Sequence, residues 1–524
     1  MNELYSAVAP GPNYITSKVP VQSDINIEGW KKYAEIVNEV DPTLIPQLQY
    51  GFSMGINNTD NIDIPVTNHV SARENYKCID QFIIQHYDSQ AILGPYYRNP
   101  LPVHAHPSPF QVAESASGKQ RAVLDMSYPQ QHSINSAIPS EWEGIGGFEG
   151  EFRLPTHDKV CAAILQTEDP LMFVSDLKAY YMQLPSDWAD TPYLCFTWRN
   201  ALWLHRRLPF GCRSSCLHAQ RVTEAIVKIY RKITGSAMEG YVDDFMSIVR
   251  RIVRATCYIF FHTLLEELGM TRSLDKCYPP DIERIFLGLL YNLAELTLSL
   301  PADKANRAVE LMQKWQALKT CSKSQVQSLL GHLNHMASVI HAGRPFMSKV
   351  VDLLRAGVFP APVTQELKLD LQVWCELLQS DRNRKAMIKA ADLAVTDAVI
   401  KIAVKVRKCV VQWVDVQKAF ELDDSVPHTP NHAMYAVAVW LVLMSFGLNI
   451  SGQLIKVSVP TKAAALAINR ARTYCDHVKT VIRHSWKLET EYDCMVKAVY
   501  QENDNVEVLF QNYHDFAPVS LPVN

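Results

Sequence analysis

The chain lacks a surplus of charge of either sign, a disulfide pattern and a secretory signal. Its 51 Lys and Arg against 54 Asp and Glu give a formal net charge of -3, so any nucleic-acid-binding surface must be local. The 12 cysteines follow no paired spacing and lie in apolar runs such as "YLCFTW", which indicates reduced thiols in an intracellular protein. The start, "MNELYSAVAPGPN", lacks the basic and apolar regions of a signal peptide.

Long hydrophobic runs are scarce as well. One stretch, residues 433–450, approaches the length of a short membrane-spanning helix but has no basic flank. We favour a buried core helix there and no membrane partner, with a transmembrane helix as the alternative. Neither an internal repeat nor a low-complexity segment is present, and 524 residues suffice for several packed domains.

The hydrophobic pattern changes along the chain and predicts four regions. Residues 1–90 are polar and rich in turn signals, which is typical of an irregular arm with a few short helices. Residues 91–300 alternate strand-like runs such as "LMFVSDL" and "ALWLHRRL" with a helix over residues 218–233, whose apolar positions lie on one face. Residues 301–365 are helical, with a capping box at Ser322 and Gln325. Residues 366–524 form a final α/β segment.

Acidic residues interrupt two of the apolar runs. In "MEGYVDDFMSIV", Asp243 and Asp244 favour a β-hairpin with the carboxylates at its tip. Asp176 ends another predicted strand, in "FVSDL". Taken alone, the Asp-Asp pair favours a plain turn. Together, strand-end carboxylates suit Mg²⁺ or Mn²⁺, and two such ions about 4 Å apart stabilise both oxygens of an in-line displacement at phosphorus.

The neighbouring motifs extend this pattern in a fixed order. "DLKAYYMQLP", "LPFGCRSS", "YVDDF" and "FLG" resemble retroelement reverse transcriptases in order and approximate spacing. "YGFSMGI", "AILGPYYRNPLP", "RAVLDMSYPQQHSIN" and "GHLNHMASVIHAGRPF" are similar to segments of the DIRS-type, tyrosine-recombinase retrotransposons. The resemblance begins near Gln49 and covers most of the chain.

The resemblance implies roles for particular residues. Asp176 and Asp243 match the metal-binding carboxylates, and Asp244 matches the third catalytic acid. Tyr181 matches the residue beneath the incoming sugar, where a bulky ring excludes a 2′-hydroxyl and favours deoxynucleotides. The implied substrate-binding and primer-grip residues are Arg121, Lys119, Phe210, Gly211, Lys276, Phe286, Leu287 and Gly288.

Plain structural explanations stay open for some of these residues. Arg121 matches an arginine that binds the triphosphate, with Lys119 as the weaker candidate, but a solvated charge at a strand edge explains Arg121 equally well. Lys276 matches a lysine near the leaving pyrophosphate, a general acid, and a surface lysine is the alternative.

The sequence also departs from the family pattern. Ala179 and Tyr180 stand where the family usually has Asp-Ala. Loss of that Asp is expected to weaken triphosphate binding, with the backbone at this position as the alternative contact. For Cys212 and Cys216 we favour packing over metal ligation. His332 and His335, three residues apart on a helical pattern without an acid partner, are interpreted as a polar helix face, with a metal site as the alternative.

A ribonuclease H domain follows the polymerase in relatives, and its acids are largely missing here. Asp397 matches the first of them, but Met434 and Pro460 occupy the places of the next two. One carboxylate cannot hold two divalent ions, so we expect a ribonuclease H-like fold that has lost the cleavage activity.

The expected fold is α/β (α+β): a right-hand polymerase with fingers, palm and helical thumb, followed by a ribonuclease H-like domain. The expected function is RNA-directed DNA synthesis by two-metal nucleotidyl transfer with Mg²⁺ or Mn²⁺. The implied partners are an RNA template, a DNA primer, the RNA–DNA hybrid and deoxynucleoside triphosphates, in cytoplasm or nucleus. The alternative is a non-catalytic nucleic-acid-binding protein derived from a retroelement. An RNA-dependent RNA polymerase is disfavoured by Tyr181.

Overall fold

The computed structural model describes residues 20–388 with short gaps, and separate segments after them. Lys119 and Asp397 lie outside the described residues. The gaps are residues 58, 65–66, 115–117, 119, 141–143, 146–147, 149–151 and 381–383, and the later segments are residues 399–403, 436, 439–440, 443, 454–459, 468, 476–491, 495–500 and 507–511.

The chain divides into two compact units. The first comprises Met1–Leu287 and Asn292–Ala294, and the second comprises Gly288–Tyr291 and Glu295–Asn524. Helices and strands occur in both units, which confirms the mixed α/β class. The finer division into arm, fingers and palm, thumb and ribonuclease H-like domain stays a prediction.

The first unit contains helices α1–α8 and strands β1–β10. The helices are Ile27–Lys31, Ala34–Asn38, Leu44–Tyr50, Val70–Glu74, Tyr76–Tyr87, His157–Gln166, Ser215–Thr234 and Arg254–Glu267. The strands are Ile92–Tyr96, Phe110–Glu114, Gln120–Leu124, Pro170–Asp176, Cys195–Trp198, Ala201–His205, Ala237–Tyr241, Asp244–Arg250, Tyr278–Asp281 and Glu283–Phe286.

An antiparallel sheet in the order β7-β8-β4-β9 forms the centre of the first unit. Strand β4 is almost wholly buried, because it has a partner strand on each side and helices on one face. Phe173 of β4 contacts Tyr230 of α7 and Phe261 of α8, with ring centroids 6.2 Å and 5.8 Å away. The sheet and these two helices therefore share one apolar core.

Helix α7 confirms the predicted helix over residues 218–233. Its apolar positions from Val222 to Tyr230 are buried, and it ends at Gly235, which adopts a left-handed φ of 67°. Ile233 was expected on the apolar face but is 47% exposed, because the last turn of the helix lies beyond the core.

The second unit contains helices α9–α13 and strands β11–β19. The predicted capping box is confirmed: Ser322 and Gln325 cap α10 reciprocally. The helices are Ala302–Ala317, Lys323–Met336, Ser348–Ala356, Gln365–Gln379 and Asp476–Glu491. The strands are Leu289–Asn292, Thr297–Ser299, Thr320–Cys321, Ala361–Pro362, Lys385–Met387, Val399–Ala403, Leu454–Val459, Met495–Tyr500 and Glu507–Gln511.

The C-terminal part of the second unit is built on a mixed sheet in the order β16-β19-β17-β18. Strands β17 and β18 are parallel and are connected through α13, as in a βαβ unit. Within residues 433–450, Ala436, Val439 and Leu443 are helical and buried, in agreement with a core helix. In the part of the chain that is described, no helix is both long and apolar enough to cross a membrane.

Candidate active site

Three carboxylates come together where β4, an inner strand of the central sheet, ends and its neighbour β8 begins. Asp176, the last residue of β4, lies opposite Asp244, the first residue of β8. Tyr241 pairs with Asp244 across β7 and β8, so Val242 and Asp243 form a two-residue turn between these strands. The predicted hairpin is present, with Asp243 in the turn and Asp244 at the start of the following strand.

The carboxylates are crowded and partly removed from water. Asp176 is only 6% exposed, and its charge adds to the effect of burial on both neighbours. Burial raises the pKa of Asp244 to about 7, reinforced by the charges of Asp243 and Asp176. Burial and the charge of Asp176 also raise the pKa of Asp243. The raised pKa values show that nearby positive charge does not fully balance the negative charges of the three carboxylates.

Lys276 contributes positive charge to the cluster. Its Nζ donates to Asp176 Oδ2 at 2.8 Å, and this hydrogen bond raises the pKa of Lys276. Lys276 ends the short 3₁₀ helix Leu274–Lys276, which places it beside the end of β4. The lysine therefore lies in the carboxylate cluster, while its role as a proton donor stays a prediction.

Arg121 is the second cation whose charge reaches the cluster. It lies on β3, opposite Ala113 of β2, and its charge opposes the rise in the pKa of Asp243. The β2-β3 hairpin therefore carries a positive charge close enough to affect the pKa of Asp243, and the triphosphate-binding role of Arg121 stays a prediction.

Tyr181 and Phe210 form an aromatic wall near the acids. Their ring centroids are 4.8 Å apart and their planes meet at 67°, an edge-on arrangement. Phe210 is 43% exposed, whereas Tyr181 shares a side-chain hydrogen bond with Cys216, and its pKa is raised, chiefly by burial. Cys216 therefore packs beside Tyr181, as the packing interpretation of the cysteines expects.

Gly211 brings the loop after Phe210 against the end of β3. Its φ is 107°, and a Cβ there would lie 1.9 Å from the Leu124 carbonyl oxygen. Asn135 stabilises the position of this loop. Its Nδ2 donates to the Gly211 oxygen at 2.7 Å, and its Oδ1 accepts from the Arg213 N–H at 2.8 Å. Sequence reasoning missed Asn135, although it lies in the quoted motif "RAVLDMSYPQQHSIN".

Leu287 and Gly288 form the turn between β10 and β11. Their φ angles are 46° and 83°, and two positive values are typical of a type I′ turn. Phe286, which ends β10, is buried. In the second unit, a Cβ on Gly288 would lie 2.2 Å from Lys304 Nζ and 3.1 Å from His335 Nε2. His335 therefore faces Gly288. Burial lowers the pKa of His335, and a hydrogen bond to the Gly288 backbone opposes this effect.

The carboxylates fit a divalent cation whose remaining ligands are water and phosphate oxygens. In the residues that the structure describes, no group of three or more His, Cys, Asp or Glu side chains is arranged to hold a metal ion. Mg²⁺, however, commonly takes one or two carboxylates and completes its shell with water and phosphate oxygens. Asp176 and Asp243 would supply two such ligands, and a cation would offset the charge of Asp176, which adds to the effect of burial in raising the pKa of Asp243.

Comparison with known proteins gives distant structural similarity. No protein-family model matches the chain, and no curated protein matches it. A foamy viral protease-reverse transcriptase in complex with RNA/DNA hybrid is similar at a TM-score of 0.49 and 14% identity, covering 96% of this chain and 64% of that chain. The same viral protein in complex with dsDNA gives 0.45 and 17%, covering 72% of each chain. At these values the similarity does not establish a shared activity.

Proposed function

We propose that the chain is an RNA-directed DNA polymerase of a retrotransposon, similar to the DIRS type. One observation carries the proposal: Asp176 and Asp244 lie opposite each other across β4 and β8, with Asp243 in the adjoining turn. The motifs that surround these acids follow the order found in reverse transcriptases. An ordinary solvent-exposed turn does not explain why Asp176, which lies more than 60 residues earlier in the chain, is placed beside Asp243 and Asp244.

Each residue of the cluster has a distinct task in this proposal. Asp176 and Asp243 would hold Mg²⁺ or Mn²⁺, and these ions would supply positive charge to the reacting phosphate oxygens. Arg121 provides positive charge for the triphosphate, and Lys276 donates a proton to the departing pyrophosphate. Asp244, at the start of β8, is the third catalytic acid.

Tyr181 and Phe210 select the sugar. The edge-on packing of the two rings makes Tyr181 a rigid wall, so a 2′-hydroxyl would collide with it. The substrates are therefore deoxynucleoside triphosphates, added to a DNA primer on an RNA template, with residues 286–288 contacting the primer. Contacts to the hybrid are mainly to phosphates, because a polymerase must accept any sequence.

Primer extension tests the proposed function directly. We expect the purified chain to extend a DNA primer on an RNA template with Mg²⁺ or Mn²⁺, and Asp243→Asn to abolish extension. Asp169→Asn is the matched control: Asp169 precedes the opposite end of β4, is exposed and pairs with Arg251 at 2.8 Å, so extension should persist. Absence of extension by the wild type with both metals and several templates contradicts the proposal.

The second candidate is a non-catalytic nucleic-acid-binding protein. It is favoured by the Lys276–Asp176 ion pair at 2.8 Å, because the chain itself then neutralises a carboxylate that a polymerase would use for metal. Binding measurements separate the two candidates. Hybrid affinity that needs no metal and survives Asp176→Asn, without any synthesis, identifies the binding protein.

The C-terminal α/β part is proposed to keep a ribonuclease H-like fold without cleavage. Met434 and Pro460 replace two of the acids expected from the family, and a lone Asp397 cannot hold two divalent ions. The test is incubation of a labelled RNA–DNA hybrid with the chain and Mn²⁺. Intact RNA is the expected result, and cleavage that Asp397→Asn removes contradicts it.

A further inference from the structure

The turn that carries Asp243 has an unfavourable backbone conformation. Val242 adopts a φ of 53°, a left-handed value that is an outlier for a β-branched residue. Two-residue hairpin turns normally place Gly, Asn or Asp at such positions. A conformation of this kind persists only where the surrounding structure fixes it, and such residues concentrate at functional sites.

Helix α7 binds both polar groups of Val242. Gln220 Oε1 accepts from the Val242 N–H at 2.9 Å, and Thr223 Oγ1 donates to the Val242 carbonyl at 2.5 Å. Gln220 Nε2 also donates to the Gly240 carbonyl at 3.0 Å. The helix can approach this closely because residue 240 is glycine: a Cβ there would lie 2.3 Å from Thr223 Cγ2.

Thr223 has one hydroxyl hydrogen and two carbonyl oxygens within reach. A threonine in a helix commonly donates to the carbonyl four residues earlier, here that of Ala219, 3.0 Å away. The hydroxyl of Tyr180 lies 3.0 Å from the same Ala219 oxygen and 3.1 Å from Thr223 Oγ1. When Tyr180 donates to Ala219, the hydrogen of Thr223 is left for Val242.

Tyr180 is one of the two residues at which the sequence departs from the reverse transcriptase pattern. It is 3% exposed, and its hydroxyl bonds to helix α7. The preceding residue, Ala179, has a φ of 47°, which begins the short 3₁₀ helix Tyr180–Gln183. Tyr180 therefore adds a buried hydroxyl, next to helix α7, at a position where the family usually has alanine.

We propose that Tyr180, Thr223 and Gln220 form a clamp that fixes the left-handed Val242 peptide and thereby holds Asp243 in position to bind a divalent ion. The clamp extends the proposed function and rests on it for the metal-binding role of Asp243. Its members are positioning residues, because they act on the backbone of the turn.

The first test removes the hydroxyl of Thr223 while keeping its shape. We expect Thr223→Val to raise the half-saturating Mn²⁺ concentration about fivefold to tenfold, the shift that one lost buried hydrogen bond produces. Mn²⁺ binding to the full-length chain is measured by electron paramagnetic resonance without nucleotide or primer. In primer extension the same variant should need more Mn²⁺ but approach the wild-type kcat at saturation, with unchanged affinity for the hybrid.

A matched control lies in the same helix. Thr234 donates to the Tyr230 carbonyl at 2.9 Å, the same kind of bond that Thr223 can make to Ala219, but it lies at the far end of α7. Thr234→Val should bind Mn²⁺ as the wild type does. An equal loss in both variants would mean that a disturbed helix, and not the clamp, weakens metal binding.

Two further variants separate the clamp from simple packing. Glycine adopts a positive φ without strain, so Val242→Gly should restore most of the Mn²⁺ affinity that Thr223→Val loses. Tyr180→Phe should reproduce much of the Thr223→Val effect, because Thr223 then turns back to Ala219. The double variant Tyr180→Phe/Thr223→Val should be no weaker than Thr223→Val, since both act on one bond.

The outcomes distinguish the clamp from the polymerase. Unchanged Mn²⁺ binding in Thr223→Val overturns the clamp even if the wild type synthesises DNA. Reduced binding that Val242→Gly restores supports the clamp even if the wild type synthesises nothing, in which case it is the polymerase proposal that fails. Additive losses in the double variant overturn the part assigned to Tyr180.

Discussion

At the scale of single residues, Tyr181 is held from two sides. Phe210 packs edge-on against its ring, and Cys216 hydrogen-bonds its hydroxyl. Replacing Tyr181 by valine removes the ring and opens space for a 2′-hydroxyl. We therefore expect Tyr181→Val to raise the ribonucleotide to deoxynucleotide ratio of kcat/KM by at least about tenfold, since a steric contact discriminates by this order.

Single-nucleotide incorporation kinetics check the prediction for Tyr181. Cys216→Ala is the control, because it loosens the hydroxyl but leaves the ring of Tyr181 in place, and the ratio should stay close to that of the wild type. A Tyr181→Val variant that still rejects ribonucleotides would show that another residue selects the sugar.

Asp244 makes the stability of the first unit depend on pH. Burial and the neighbouring carboxylates raise its pKa from 3.8 to about 7, so the folded chain keeps this proton after the unfolded chain has released it. Stability therefore falls as the pH rises between these two values and is lowest above about 7. In metal-free buffer we expect Asp244→Asn to raise the melting temperature at pH 8, with a gain that shrinks towards pH 4.

The opposite behaviour is expected of an exposed acid paired with arginine. Arg251 lowers the pKa of Asp169, so the contribution of Asp169 to stability is present above its unfolded pKa and is lost as the pH falls. Asp169→Asn should therefore not stabilise the chain at pH 8. A melting-temperature gain in Asp244→Asn that is independent of pH would contradict the assigned cause.

The acids of the site could be predicted from sequence, but the residues that position them could not. Asp176, Asp243 and Asp244 interrupt apolar strand patterns, and that local contrast is visible in the sequence. Gln220 and Thr223 are ordinary polar residues in a helical pattern, and Asn135 lies in a turn. Their importance comes from hydrogen bonds to segments distant in the chain, which no local pattern encodes.

At the scale of elements, local periodicity predicted the strands and helices that build the site. The apolar runs of β4 and β8 and the apolar face of α7 are each visible within a short window. The close approach of α7 to β7 was not predicted, because a single glycine inside a strand has several explanations, among them a bulge and close backbone contact.

Gly240 allows a prediction about the contact between α7 and β7. A Cβ at this position would lie 2.3 Å from Thr223 Cγ2 and 3.1 Å from Val227 Cγ2, so helix or strand must move to accommodate it. We expect Gly240→Ala to lower the free energy of unfolding by about 1–3 kcal/mol. Urea denaturation provides the measurement, and Mn²⁺ binding should weaken in parallel.

Gly331 provides the matched glycine-to-alanine control. It lies within α10, and a Cβ there would meet nothing within 4 Å. Alanine is favoured over glycine inside a helix, so Gly331→Ala should stabilise the chain by about 0.5–1 kcal/mol. If both alanine variants changed stability in the same direction, steric contact at Gly240 would not be the cause of its effect.

At the scale of the whole molecule, residues 27–54 belong to the core of the first unit. Trp30, Leu44, Leu48 and Phe52 are fully buried among residues of the central sheet and its helices. The sequence predicted short helices here, as part of an irregular arm. It could not show that they pack into this core, because each helix is short and the hydrogen bonds that attach this segment to the rest of the core reach residues 130 or more positions away.

A buried ion pair makes this attachment testable. Arg221 of α7 donates to Asp41 at 2.7 Å, and the two side chains are 1% and 3% exposed. Thr43 and Gln47 accept further hydrogen bonds from Arg221 at 2.7 Å and 3.1 Å. Removing Asp41 leaves a buried guanidinium without its counter-charge, so Asp41→Ala should lower the free energy of unfolding by about 3–5 kcal/mol.

The same substitution should reach the candidate active site, because Arg221 follows Gln220 directly in α7. When Arg221 loses its counter-charge, we expect helix α7 to shift or to admit water. The hydrogen bonds from Gln220 and Thr223 to Val242 should then weaken, and Mn²⁺ should bind less tightly. Glu39→Ala breaks a neighbouring but solvent-exposed pair, that of Glu39 with Lys228 at 3.3 Å, and exposed pairs contribute little to stability. An Asp41→Ala chain as stable as Glu39→Ala, with normal Mn²⁺ binding, would show that the N-terminal helices are dispensable for the carboxylate cluster.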